Sequence, residues 1–191
     1  MSQALRQQSG IITPPVQTRQ PRLRTVTPSA DPAQFRDGMA LLAAAVSIIT
    51  TDGGKGRHGF TASAVCSVSD DPPTLLVCIN RSASTHPHIL EHGTLAVNVL
   101  TGEQKELSSV FSDRSKTMED RFASATWTRG LAGAPLLAHA LASFDCIVDR
   151  TIDAGTHTVV LASVVDIALS ANAPDSLVWF SRQYATLPRS V

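Results

Sequence analysis

The chain has 191 residues, 43% of them hydrophobic, with 16 basic and 16 acidic side chains. That length suits one domain with a core of its own, and the balanced charge offers no basic footprint for nucleic acid or an anionic membrane. Three cysteines, at 66, 78 and 146, form no C-x-x-C pair and read as small apolar core residues in a reducing compartment rather than as a disulfide or zinc framework.

No apolar run reaches the length of a membrane span, and the first dozen residues lack a signal-peptide core, so a cytoplasmic protein is expected. Residues 1–30 are rich in Gln, Arg, Pro, Ser and Thr. Such a stretch buries too little apolar surface to offset its ordering entropy, which predicts a mobile tail ahead of a domain over residues 31–191. Ser29 or Asp31 is placed to cap a helix with Pro32 in its first turn, and Phe35, Met39 and Leu42 recur at helical spacing. Residues 46–51 are β-branched and run into Asp52-Gly53-Gly54, a strand entering a turn. The lysine of Gly53-Gly54-Lys55-Gly56 does not follow the last glycine and opens no helix, so this is a hairpin turn rather than a phosphate-binding P-loop.

Residues 60–69 alternate as one strand. Thr61, Ser63, Val65, Ser67 and Ser69 share one face, and Ala62, Ala64, Cys66 and Val68 the inward one. Hydroxyls, backbone and small side chains there permit close approach by a flat ligand; the same pattern also describes an ordinary solvated strand. After a turn at Asp70-Asp71-Pro72-Pro73, residues 74–79 are continuously apolar, as for a strand buried on both faces. It ends in Asn80-Arg81-Ser82-Ala83-Ser84-Thr85, ahead of a helix capped at Thr85 or His86 and stopped by Gly93. Three hydroxyls and an arginine beside a helix N-terminus suit a phosphate. His86, His88 and His92 lack a further well-placed ligand for a metal and read as a solvated helix face.

Downstream, residues 95–100 form a strand, and residues 102–113 a helix with Leu107, Val110 and Phe111 inward. Residues 115–131 are irregular, anchored by Met118, Phe122 and Trp127. Two long strands, 140–152 and 158–169, flank Asp153-Ala154-Gly155-Thr156-His157 and put His157 at a hairpin mouth. A strand at 177–180 closes the pattern. Strands linked mostly by turns predict a mainly β fold, an antiparallel barrel with a few peripheral helices.

Several stretches together resemble the short-chain flavin reductase family over roughly residues 35–187. They are Phe35-Arg36-Asp37-Gly38-Met39, AAVSIITTDG at 44–53, Gly59-Phe60-Thr61-Ala62-Ser63-Ala64, Ser69-Asp70-Asp71-Pro72-Pro73, Asn80-Arg81-Ser82-Ala83-Ser84-Thr85, Val97-Asn98-Val99 and Gly155-Thr156-His157. The resemblance implies a split antiparallel β-barrel, binding FMN or FAD in a homodimer with sites near the subunit interface. By the same resemblance Thr61, Ala62, Ser63, Ala64 and Ser67 lie along the flavin ring, with Ile48 and Thr50 contributing from the other side. Asn80, Arg81, Ser82, Ser84 and Thr85 hold the phosphate, and His157 and Tyr184 lie near the nicotinamide of NADH or NADPH. The resemblance further implies that hydride passes from nicotinamide C4 to flavin N5, which needs no side-chain acid–base pair, and that reduced flavin then diffuses to a partner monooxygenase. A flavin-binding carrier on the same barrel is the alternative.

Overall fold

The computed structural model describes residues 30–171 and 175–189, so the tail expected over residues 1–30 lies, but for its last residue, outside the described residues. Helix α1 (Pro32–Met39) starts where capping chemistry places it. The Asp31 carboxylate accepts from the amides of Ala33 at 2.5 Å and Gln34 at 3.1 Å, and Pro32 fills the first helical position. None of its residues is buried. Phe35 is 61% exposed, and Leu42 just beyond the helix is 59% exposed. The helix forms where expected but ends before Leu42, and within one chain its apolar residues stay exposed.

A short β1 (Ala44–Ala45) precedes β2 (Ser47–Gly53), which turns through Gly54 and Lys55 into β3 (Gly56–Ala62), pairing Gly53 with Gly56. Gly56 has φ +86°, a value that favours glycine, and the expected hairpin is the observed one. The single strand expected over residues 60–69 is two. β3 stops at Ala62, Ser63 and Ala64 step across a gap, and β4 (Val65–Asp70) resumes with its faces exchanged. Val65 packs on the core whereas Cys66 and Val68 are exposed, the reverse of the expected phase. A register shift between Ser67 and Ser69 displaces it again.

β5 (Pro73–Asn80) alternates buried with half-buried positions rather than being covered on both faces. Next come α2 (His86–His92), with Gly93 in a left-handed C-cap, β6 (Thr94–Val99), a 3₁₀ turn (Gly102–Gln104) and α3 (Lys105–Ser112). Phe111 is buried, and Leu107 and Val110 pack partly buried beside it, as expected. The stretch expected to be irregular holds α4 (Met118–Ala123) and β7 (Trp127–Arg129), which pairs with β8 (Pro135–Leu137). Long strands β9 (Ala142–Ala154) and β10 (His157–Leu169) form a hairpin, followed by β11 (Asp175–Phe180) and an unexpected β12 (Gln183–Pro188).

The main sheet has seven antiparallel strands in the order β3-β2-β6-β9-β10-β5-β4. β3 and β4 are neighbours in sequence yet stand at its two ends, with no ladder between them. Phe60 and Ala62 of β3, Val65 of β4, Val77 of β5, Val97 of β6 and Val160 of β10 all pack in one cluster, which requires the sheet to curl around it. This is a split antiparallel barrel. A second cluster of Val46, Ile48, Leu100, Phe111, Phe122 and Leu177 lies on the other face of β2, beneath α3, α4 and β11. Between the clusters, buried Asn98 donates to the Ile48 carbonyl at 3.1 Å and accepts from the Leu137 amide at 2.8 Å and the Ser143 hydroxyl at 2.9 Å. Among the described residues no helix is long and apolar enough to cross a membrane.

Candidate functional site

A cleft of about 560 Å³ opens beside β3, lined by His58, Phe60 and Thr61, by Ser82, Ser84 and Thr85 ahead of α2, and by Arg114, Lys116 and Arg121 around α4. It shares Thr61 and Ser112 with a second hollow of about 280 Å³ walled by Val46, Ala62, Ser63, Trp179 and Tyr184. The two form one trough along β3, polar and cationic at one end and aromatic at the other.

Gly59 organises the polar end. Its carbonyl accepts from the Thr85 hydroxyl at 3.3 Å and from the Arg121 guanidinium at 3.2 Å, fixing the start of α2 and the middle of α4 against β3. A side chain at Gly59 would meet the Phe111 ring at 2.8 Å, so the close packing of α3 here requires glycine. Arg121 is only 6% exposed, and it donates further to the carbonyls of Phe111 at 3.1 Å and Asp113 at 2.6 Å. Among the described residues no carboxylate lies within ion-pair distance of it, and its Nε has no partner. Burial lowers its pKa and Asp113 opposes that, but a guanidinium stays charged. A buried cation facing a cleft without a carboxylate is a place for an anionic ligand.

The loop ahead of α2 is shaped by Asn80, whose side-chain oxygen accepts from the Ser82 amide at 2.9 Å and hydroxyl at 2.8 Å, an Asx turn. Thr85 takes the N-cap position, yet its hydroxyl serves Gly59 rather than the helix. At the aromatic end the Tyr184 hydroxyl lies 2.6 Å from that of Ser108, and its ring meets Trp179 edge-on at 4.8 Å. The Thr61 hydroxyl donates to the Ser108 carbonyl at 2.6 Å, locking α3 onto β3. Ala62 and Ser63 leave room for a flat group against the backbone.

Of the residues picked from sequence, Thr61, Ala62, Ser63, Ser82, Ser84, Thr85 and Tyr184 meet in this trough. Ala64 faces a groove beside α1, and Ser67 lines a hollow adjoining it. Ile48 is fully buried, and Thr50 donates its hydroxyl to the Pro135 carbonyl at 2.5 Å within the Asn98 network, so both are core residues here. Arg81 turns away from the cleft: its guanidinium hydrogen-bonds the Gly155 carbonyl and lies 3.5 Å from Asp153. Its amide donates to the Thr156 carbonyl, and Asn80 pairs in register with His157. Asn80, Arg81 and His157 thus gather at the tip of the β9–β10 hairpin. The histidine face expected to be solvated is not: His88 and His92 are half-buried against His58. Ser112, Arg114, Lys116, Arg121 and Trp179 escaped the sequence reading, because only the sheet topology brings them to β3.

Residues 39–188 match the flavin reductase like domain. The FMN reductase (NADH) RutF of Klebsiella pneumoniae strain 342 is 54% identical over 160 residues, covering 84% of this chain and 96% of that protein. BorF, the flavin reductase component of a bacterial two-component tryptophan halogenase, superposes with TM-score 0.77 at 33% identity, over 84% of this chain and all of that one. The NADH:FAD oxidoreductase SgcE6 of Streptomyces globisporus C-1027, solved with NAD and FAD fragments, gives TM-score 0.75 at 28% identity, over 81% and 92%. With its split barrel, its trough along β3 and this coverage, the chain belongs to the flavin reductase family.

Proposed function

We propose that this chain is an NADH-dependent FMN reductase whose trough along β3 takes the flavin. The observation that carries the reading is the pairing of ends: a buried guanidinium without a carboxylate at one, and an aromatic wall over small residues at the other. A ligand with a phosphate and a flat ring matches both. Ser82, Ser84, Thr85 and the cations Arg114, Lys116 and Arg121 hold the phosphate; Ala62 and Ser63 let the ring approach the backbone, and Trp179 and Tyr184 bound it. FAD in place of FMN, and NADPH in place of NADH, are the alternatives for the same site.

Bound flavin supplies the hydride-accepting ring. The protein's residues supply orientation, which contributes on the order of 7–11 kcal/mol in favourable cases, and no side chain in the trough needs to move a proton during the transfer. His157, at the tip of the β9–β10 hairpin, is assigned to the nicotinamide.

The unit is a homodimer over residues 31–191. α1 presents Phe35, Met39 and Leu42 to solvent and flanks a groove of about 960 Å³ lined also by Cys66, Leu76 and Cys78. Ile167 and Leu169 at the end of β10 are exposed as well. An apolar surface of this extent suits a second copy of the chain. The reduced flavin is released to a flavin-dependent monooxygenase.

Purified protein should oxidise NADH only when FMN is added, and His157→Ala should raise the KM for NADH while leaving FMN affinity nearly unchanged. Flavin binding without any NADH or NADPH oxidation would leave the carrier reading in its place.

A further inference from the structure

Beside the phosphate end lies a cluster that flavin binding leaves without a role. His58 comes from β3, and His88 and His92 from α2. The His58 and His88 rings stack with centroids 3.4 Å apart and planes 14° from parallel; His92 is 5.9 Å from His88 and 6.5 Å from His58. Gly53 makes the space, since a Cβ there would sit 2.3 Å from the His92 ring. Three buried ring nitrogens, Nδ1 of His58, Nδ1 of His88 and Nε2 of His92, have no hydrogen-bond partner. The hydrogen bonds define one tautomer. Thr51 gives its proton to the Thr94 carbonyl at 2.7 Å, so His92 Nδ1, 3.0 Å from the Thr51 oxygen, is the donor there. In the neutral ring Nε2 then carries a free lone pair. Parallel rings cannot turn their lone pairs on one ion, and among the described residues no group of His, Cys, Asp or Glu is arranged to hold a metal. What the cluster can accept is a proton.

His58 also lines the cleft, beside the proposed phosphate ligands. From α2 it faces His88 and His92, with Glu91 engaged by Lys55 at 2.9 Å; from β2 it faces Asp52, which lies 3.6 Å from Arg57. From the α3–α4 segment Arg114, Lys116 and Arg121 line the same cleft. Burial, then His88, lowers the pKa of His58, while the Lys55 backbone and Asp52 oppose them. A phosphate dianion among the cations offsets their charge and favours a charged imidazole beside it.

We propose that the His58–His88–His92 cluster is a proton-linked selector for phosphorylated flavin: an anion bound among Ser82, Ser84, Thr85 and Arg121 draws one proton from solvent onto the cluster, and the proton returns to solvent when the anion leaves. The inference rests on the phosphate reading above and adds a pH dependence to it.

The test is the ratio of FMN to riboflavin affinity between about pH 6.5 and 8.5, where the free phosphate, with its second pKa near 6, is mostly dianionic. In the wild type the ratio should fall about threefold or more as pH rises, and calorimetry in buffers of different ionisation enthalpy should show proton uptake with FMN but not with riboflavin. His58→Gln should flatten the ratio and abolish the FMN-specific uptake. His88→Gln, which removes the stacked ring that lowers the His58 pKa without itself lining the cleft, should move the fall to higher pH. A wild-type ratio that changes with pH in the same way in both variants overturns the proposal alone. A wild type with no preference for FMN over riboflavin at any pH removes the phosphate reading and this proposal together.

Discussion

Arg121 and Gly59 are joined in the buried wall beside the cleft, the α4 guanidinium donating to the β3 carbonyl at 3.2 Å. The contact makes one side chain both a strut and a charge, and the two roles separate by substitution. Arg121→Met should destabilise the ligand-free protein by about 1–3 kcal/mol, because the Phe111 carbonyl loses its donor in a buried place. It should lower FMN affinity about tenfold or more while riboflavin affinity stays within a few-fold, as expected for a charge-assisted contact to phosphate. Denaturant melts and fluorescence titrations of both flavins measure this; equal losses for the two would place the phosphate elsewhere.

Gly59→Ala probes the strut without touching charge. Its Cβ would lie 2.8 Å from Phe111 and 3.0 Å from the Ile49 carbonyl, one movable and one not. A loss of about 1–3 kcal/mol is expected from overpacking. A thermal midpoint unchanged from wild type would mean that α3 shifts freely on β3.

Arg81 and Ser82 are adjacent in sequence, but the Arg81 guanidinium engages the β9–β10 hairpin whereas Ser82 lines the cleft. Arg81→Ala releases the Gly155 carbonyl and Asp153 at the hairpin that carries His157, so steady-state kinetics should show a higher KM for NADH and an unchanged FMN to riboflavin ratio. Ser82→Ala should do the opposite. A selective FMN loss in Arg81→Ala would show that this arginine swings into the cleft when ligand is bound.

The cysteines report on the proposed dimer. Cys66 is exposed and lines the groove beside α1, whereas Cys146 is buried, its pKa pushed up to about 12 by burial first and Asp145 second. Cys66 should react with a thiol reagent faster as the protein is diluted, and Cys146 only after unfolding. Leu42→Asp should give a monomer by sedimentation with Cys66 reactive at every concentration. Concentration-independent labelling together with an unchanged mass would discard the α1 face as the interface.

Ligand-free stability should carry the mark of His58. Its folded pKa lies below the ordinary 6.5, so as pH falls the unfolded chain takes up this proton first. The stability is fully present above about 6.5, is lost as pH drops towards the lower folded value, and then levels off. Urea midpoints should therefore fall less between pH 7.5 and 5.5 in His58→Gln than in the wild type. Parallel slopes would show that His58 does not titrate differently on folding.

The barrel was legible because its strands alternate or are β-branched and its turns use Gly, Pro and Asp. β12 was hidden because its turn is not built that way. Ser181 and Arg182 both take left-handed φ, 50° and 62°, where Asn-Gly is the usual signal. α1 holds them there: the Ser181 amide donates to the Ala40 carbonyl at 2.7 Å, and Arg182 pairs with Asp37. The break at Ser63-Ala64 was also invisible, since small residues continue a strand pattern as readily as they end it. At the site, the hydroxyl-rich stretches could be picked from the chain, whereas their roles, and Tyr184 itself, came from the family resemblance. The cations could not. Arg114, Lys116 and Arg121 approach Ser82 and Thr85 only because β3 pairs with β2 at the sheet edge and α3 and α4 fold over it.

The step at Ser63-Ala64 leaves β3 and β4 each paired on one side only, among the described residues, so two rows of main-chain donors and acceptors face the opening. On the proposed reading, a heterocycle whose edge is read by main chain imposes a limit on size at Ala62 and Ser63 rather than a demand for particular functional groups. Across natural variants of this chain, those positions should interchange freely among Gly, Ala, Ser and Thr and resist anything larger, and a search for invariant polar side chains there would miss the recognition altogether.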